Sequence, residues 1–90
     1  MPIHAYVLFK VSSGSERLVC QKIIGFDEVL TAGIVYGEYD VLAKVSLQDM
    51  KGLESFLSVK MRKVPNVLVT STMIVAREYE GKVKRNRNKT

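Results

Sequence analysis

The sequence predicts an α+β domain of the ferredoxin-like type, with element order β-α-β-β-α-β. Three observations carry that prediction. Four segments show period-two apolar alternation or dense β-branched content, and two helical stripes separate them. A Gly-Glu-Tyr-Asp turn at residues 37–40 joins the second and third strands as a hairpin. With each helix acting as a right-handed crossover, both helices fall on one face of a four-stranded antiparallel sheet.

The first strand is read from Ala5–Val11, where Ala5, Val7, Phe9 and Val11 alternate with Tyr6, Leu8, Lys10 and Ser12. Ser13 and Glu16 then have capping-box spacing, Val19, Cys20, Ile23 and Ile24 follow at helical intervals, and Gly25 suits a left-handed stop. This predicts a short helix over Ser15–Ile24. Val29–Tyr36 and Val41–Ser46 read as the hairpin strands, and Gly33 suggests a bulge or a close backbone approach. Ser46 and Asp49 have capping-box spacing before a second stripe of Met50, Leu53, Phe56, Leu57 and Met61. Gly52 inside that stripe costs up to ~1 kcal/mol relative to alanine. Pro65-Asn66 closes the helix, and Val67–Arg77 reads as the last strand.

Ninety residues set a limit of one small domain. At 47% apolar and 26% charged, the composition is that of a globular chain, so disorder is not the default expectation. No apolar run reaches the ~18 residues that cross a bilayer, and Met1–Tyr6 lacks a signal-peptide pattern. The single cysteine, Cys20, precludes an internal disulfide and fits a reducing cytoplasm; one His (His4) and one Cys make a zinc site improbable. Five of the fourteen basic residues lie in 82–90, which holds no acid, so residues 1–81 carry nine charges of each sign. The net charge of +5 therefore belongs to the tail. The expected division is a domain over 1–78 and a basic, flexible tail over 79–90.

Both alternation sets of every strand are apolar. Two helices cover one face only, so the other presents Tyr6, Leu8, Leu30, Ile34, Leu42, Leu68 and Ile74, or their alternates. Such a patch exceeds what a soluble monomer usually leaves open, and a second copy on a two-fold axis is the simplest cover.

The 37–40 turn holds more polar chemistry than chain reversal requires. Gly37 supplies a positive φ or a bare N–H for a carboxylate. Asp40 either caps the turn or accepts from an ammonium group, and Tyr39 is either strand packing or a wall for an apolar side chain. Thr70, Ser71 and Thr72 put three hydroxyls into the last strand, either as a half-exposed β surface or as donors to a carboxylate. Cys20, Met50 and Met61 fall on helix stripes and read as core. No nucleophile–base pair, phosphate loop, paired carboxylates, metal set or cofactor site can be assembled.

In this order the motifs resemble the effector (RAM) domain of the leucine-responsive regulatory protein and asparagine-synthesis regulator family (Lrp/AsnC). They are Ala5-Tyr6-Val7, Glu28-Val29, Gly37-x-Tyr39-Asp40-Val41, Asp49, and Pro65-Asn66-Val67-x-x-Thr70-x-Thr72, over about residues 3–77. The resemblance implies dimeric α/β-barrel pairing through the sheets, further assembly as four dimers in a ring, and an amino-acid effector bound between dimers. It assigns Gly37, Tyr39 and Asp40 to the effector loop, Thr70, Ser71 and Thr72 to the facing strand, and Glu38 to the loop's variable position. Family regulators carry a helix-turn-helix before this domain; here the first strand begins within five residues of Met1, which implies a stand-alone effector domain. Tyr36 stands where the family often has Thr or Ser, and its bulk would reshape the pocket.

The expected function is amino-acid effector binding and oligomerisation in transcriptional or metabolic regulation, in the cytoplasm. The partners are a second copy, possible octamers, and full-length Lrp/AsnC regulators. A nucleic-acid-associated protein using the basic tail is the alternative, although the sheet lacks the aromatic signature of RNA-binding domains on this fold. Enzymes of this fold place titratable groups in their pockets, whereas both faces here are mainly aliphatic.

Overall fold

Ala5, Val7, Phe9 and Val11 alternate with more polar neighbours, and in the computed structural model, which describes residues 2–82, they form the buried side of strand β1 (Ile3–Val11). Helix α1 (Glu16–Ile23), strands β2 (Val29–Ile34) and β3 (Val41–Leu47), helix α2 (Met50–Ser55) and strand β4 (Val67–Ile74) follow, in the predicted order. All strand pairs are antiparallel and the sheet order is β2-β3-β1-β4. Val41, Ala43, Val45 and Leu47 of β3 share the buried face with β1, under Val19 and Ile23 of α1 and Leu53 of α2. Phe26 and Phe56 meet edge to face at 6.0 Å within this layer.

Local chemistry moves several boundaries from their sequence-based positions. Gly14 takes φ +84° in a turn where Ser15 N–H donates to Ser12 C=O at 2.9 Å. That turn delays the helix, so Ser15 is the N-cap and no Ser13 capping box forms. Gly25 is not left-handed. Gly25 and Phe26 instead donate to the carbonyls of Lys22 and Ile23, which satisfies the helix end by tight i→i+3 bonds. The bulge in β2 falls between Val29 and Thr31 rather than at Gly33. The final strand ends at Ile74, not Arg77.

The second helical stripe shows why counting intervals misplaces residues. Asp49 is itself the N-cap, its carboxylate accepting from Gly52 N–H at 2.8 Å. After Ser55 the helix widens into a π turn (Phe56–Lys60) and then tightens into a 3-10 turn (Met61–Lys63). Phe56 and Met61, five residues apart, would diverge by roughly 140° around an α-helix. The π turn, closed by Met61 N–H to Phe56 C=O, lets both point into the core. Met50, predicted as core, is 45% exposed at the helix start.

The register corrects the composition of the open face. Ile34 pairs with Val41 and Ile74 with Ala5, so both lie on the helix side, though at edges the helices do not cover. Tyr6, Leu8, Leu42 and Lys44, with Ser71 and Met73 of β4, lie on the opposite side. Beyond Lys82 the basic run lies outside the described residues.

Glu28, just before β2, clasps the helical segment through a 2.6 Å ion pair with Lys60, whose ammonium also lies 5.9 Å from the Phe26 ring centroid. The Lys60 hydrogen bond holds the Glu28 carboxyl below the usual carboxylate range. A depressed folded-state pKa contributes stability above the unfolded value and loses it as pH falls through the folded one. Glu28→Gln is therefore expected to flatten the acid limb of the stability–pH profile, read as urea midpoints from neutral pH downwards; an unchanged acid limb would contradict the clasp. Phe9→Ala, at a side chain with no exposed surface, is expected to cost about 3–5 kcal/mol in the same urea titrations.

Candidate functional site

The loop between β2 and β3 spans residues 35–40 and is closed by Val35 N–H donating to Asp40 C=O at 2.9 Å. Gly37 has φ +135°, a conformation that L side chains rarely adopt. Tyr36 is fully exposed beside it. Glu38 is exposed, and Tyr39 is half-buried with the Lys10 ammonium 5.8 Å from its ring centroid.

Asp40 ties this loop to the centre of the sheet. Its N–H donates to Phe9 C=O at 2.8 Å, and its Oδ2 accepts from Val11 N–H at 2.9 Å. The second bond falls where the β1–β4 register shifts between Lys10 and Val11, at an N–H that needs a partner. The structural and the ligand-binding readings of Asp40 are thus compatible: one oxygen holds the loop, and the other takes no hydrogen bond among the described residues.

On the far side of β1, Thr70 pairs with the same Phe9 that pairs with Val41. The 37–40 loop and Thr70 therefore flank one end of one strand, separated by two strand spacings, roughly 10 Å. Thr72, opposite Val7, shares the face of Thr70 but lies further along the strand. Ser71, opposite Leu8, points to the other side of the sheet. Within one chain, Ser71 does not join the loop and the two threonines. Thr70 also lines a 260 Å3 groove between β4 and the 3-10 turn, with Leu57, Met61 and Arg62 on its other wall.

Sequence reading missed Lys10 and Arg62. Each adds a cation near the predicted residues, Lys10 against Tyr39 and Arg62 in the groove with Thr70. Lys10 was legible as a polar break in the outer set of the first strand; Arg62 carries no local signal, because the turn that places it follows a π segment. Cys20 is half-buried and burial pushes its thiol up, away from the reactive thiolate. Among the described residues no group of three His, Cys, Asp or Glu could hold a metal ion, and no helix is long and apolar enough to cross a membrane.

Comparison with known proteins places this geometry. The family model of the Lrp/AsnC ligand binding domain matches residues 4–83. The HTH-type transcriptional regulator FL11 of Pyrococcus abyssi is 30% identical over 76 residues, covering 84% of this chain and 50% of that protein. The chain thus spans about half the length of the curated relatives it matches. Among solved structures, FFRP-DM1 is 41% identical with a TM-score of 0.77, covering 81% of this chain and 97% of the other. The hypothetical protein PHS023 of Pyrococcus horikoshii is 40% identical with a TM-score of 0.78, covering 86% and 93%.

Removing the carboxylate in Asp40→Ala leaves the Val11 N–H without its acceptor and is expected to cost about 1.5–3 kcal/mol. Amide exchange would show the loss first at Val11. Asp40→Asn, which can still accept, is expected to cost less; an Asp40→Ala variant as stable as the native chain would show that the bond contributes nothing.

Proposed function

The chain belongs to the Lrp/AsnC ligand-binding-domain family, and from that premise we propose that it is a regulatory effector-binding module whose ligand is a free amino acid held between chains. One observation carries the reading. The 37–40 loop and Thr70 flank one end of β1, roughly 10 Å apart, as the two sides of an open rim. A rim of this kind becomes a pocket when another chain closes it.

The rim suits a zwitterion. An ammonium group meets Asp40 Oδ1, while a carboxylate meets N–H groups near Gly37 and the Thr70 or Thr72 hydroxyl, and the Lys10 ammonium stays against the Tyr39 ring. Tyr39 and Glu38 face the ligand side chain and set its preference, with Tyr36 narrowing the space. Ser71, on the other side of the sheet, contributes only if a neighbouring chain brings it to the rim.

Two copies pair through their open sheet faces, and pairs assemble further, up to four dimers. Full-length relatives with the same domain are the natural hetero-partners, and the cytoplasm is the natural compartment for such regulators. A ligand at a shared pocket shifts the assembly equilibrium only by its differential affinity for the assembled state. The role is binding rather than catalysis.

Melting temperature and light-scattering mass, measured across the twenty amino acids, test the proposal. At least one amino acid is expected to raise both, and Thr70→Val or Gly37→Ala is expected to abolish the response. If none of the twenty moves either quantity, the amino-acid reading fails.

A further inference from the structure

The open face of the sheet carries a polar cluster that neither the core nor the 37–40 loop uses. Lys44 stands on the central strand β3 beside Leu42, and its side chain is only 21% exposed. Its cross-strand neighbour on β1 is Tyr6, with the Lys44 ammonium 5.7 Å from the ring centroid. The counter-charge comes from outside the sheet. Val75 N–H donates to His4 C=O at 2.9 Å, and the chain then turns so that Glu78 lies over this face. Glu78 Oε2 accepts from the Tyr6 hydroxyl at 2.8 Å, and its two oxygens accept from Lys44 Nζ at 3.0 and 2.8 Å. Tyr6, Lys44 and Glu78 themselves line an open 610 Å3 cavity on this face, together with Leu30, Gly33 and Leu42.

Exposed to water, this arrangement is a surface ion pair of little consequence. Under an apolar cover it becomes decisive. An ammonium buried without a partner carries a large desolvation cost, whereas one already held by a carboxylate and a phenol does not arrive unpaired. The Lys44 ammonium first, and the Tyr6 hydroxyl second, hold the Glu78 carboxyl below the usual carboxylate range, so the cluster stays neutral as a whole at physiological pH.

We infer that Glu78 is the counter-charge that makes this face fit to be buried against the second copy of this chain already proposed to cover it. The inference rests on the sheet-to-sheet pairing proposed above. Charge complementarity argues for self-association: the cluster balances its own charge, so the face asks its partner for apolar area and not for an opposite charge. A two-fold related copy offers that same apolar surface with its own balanced cluster. A partner lacking an acid at the position of Glu78 would bring a bare lysine into the interface and be rejected, so the cluster also selects partners.

Sedimentation equilibrium of the full 90-residue chain and three variants tests this, with circular dichroism melts confirming that each variant folds. The native chain is expected to form dimers or multiples of them. Glu78→Ala is expected to weaken the dimer by roughly 30-fold or more, because it leaves Lys44 buried and unpaired. Lys44→Met combined with Glu78→Ala removes both charges and is expected to restore association close to the native level. Lys44→Met alone strands the carboxylate and is expected to weaken the dimer. A dimeric native chain whose Glu78→Ala variant associates equally tightly overturns the inference alone. So does a double variant that stays as weak as Glu78→Ala. A native chain that remains monomeric overturns the sheet-to-sheet pairing, and this inference with it.

Discussion

Two short helices cannot cover both sides of a four-stranded sheet, and the rest of this molecule follows from that constraint. On the covered side, β1 and β3 alternate so cleanly that Ala5, Val7, Phe9, Val41, Ala43 and Val45 are all but inaccessible. On the other side, Leu8, Leu42 and Met73 share a surface with Tyr6 and Lys44. A sheet apolar on both faces seldom stays alone in water. The proposed association surface therefore comes from the core strand itself, because the residues that alternate with the core are the ones left open.

The loop and threonines proposed as the effector rim hang from the same strand. Phe9 fills the core with its side chain, receives the Asp40 N–H at its carbonyl, and pairs with Val41 on one side and Thr70 on the other. Moving β1 would move the loop and the threonines together. Asp40 links these levels, since its carboxylate satisfies the bulged Val11 N–H with one oxygen and leaves the second for the proposed ligand. The proposed coupling between ligand and assembly needs no long pathway, because the loop and the open face meet on one strand.

Much of this was legible in the sequence, for identifiable reasons. Period-two alternation is strong in Ala5–Val11 and Val41–Leu47 because these strands are central, and their buried residues follow directly from it. The edge strands were read too long, and Ile34 and Ile74 were set on the wrong face. A bulge at Leu30 and another beside Lys10 shift the phase that simple counting assumes. Phe56 and Met61 are core as expected, but it is the π turn at Phe56–Lys60, rather than regular helical spacing, that puts them on one side. Gly37 was read correctly, since its φ of +135° is a requirement few other residues meet. Pleating separates Ser71 from Thr70 and Thr72 within one chain, because adjacent residues of a strand face opposite ways. Lys10, Arg62 and the reach of Glu78 back to Tyr6 and Lys44 depend on tertiary register, which no local pattern encodes.

The claim at the centre of this account is that the 37–40 loop forms half of a pocket completed by another chain. A crystal soaked with mixed amino acids addresses it most directly. The account predicts ligand density bounded by Gly37, Asp40 and Thr70 on one side and by a second chain on the other, with the ligand's ammonium on Asp40 Oδ1. Density enclosed entirely within one chain, or an accessible rim left empty while ligand occupies another site, would contradict it.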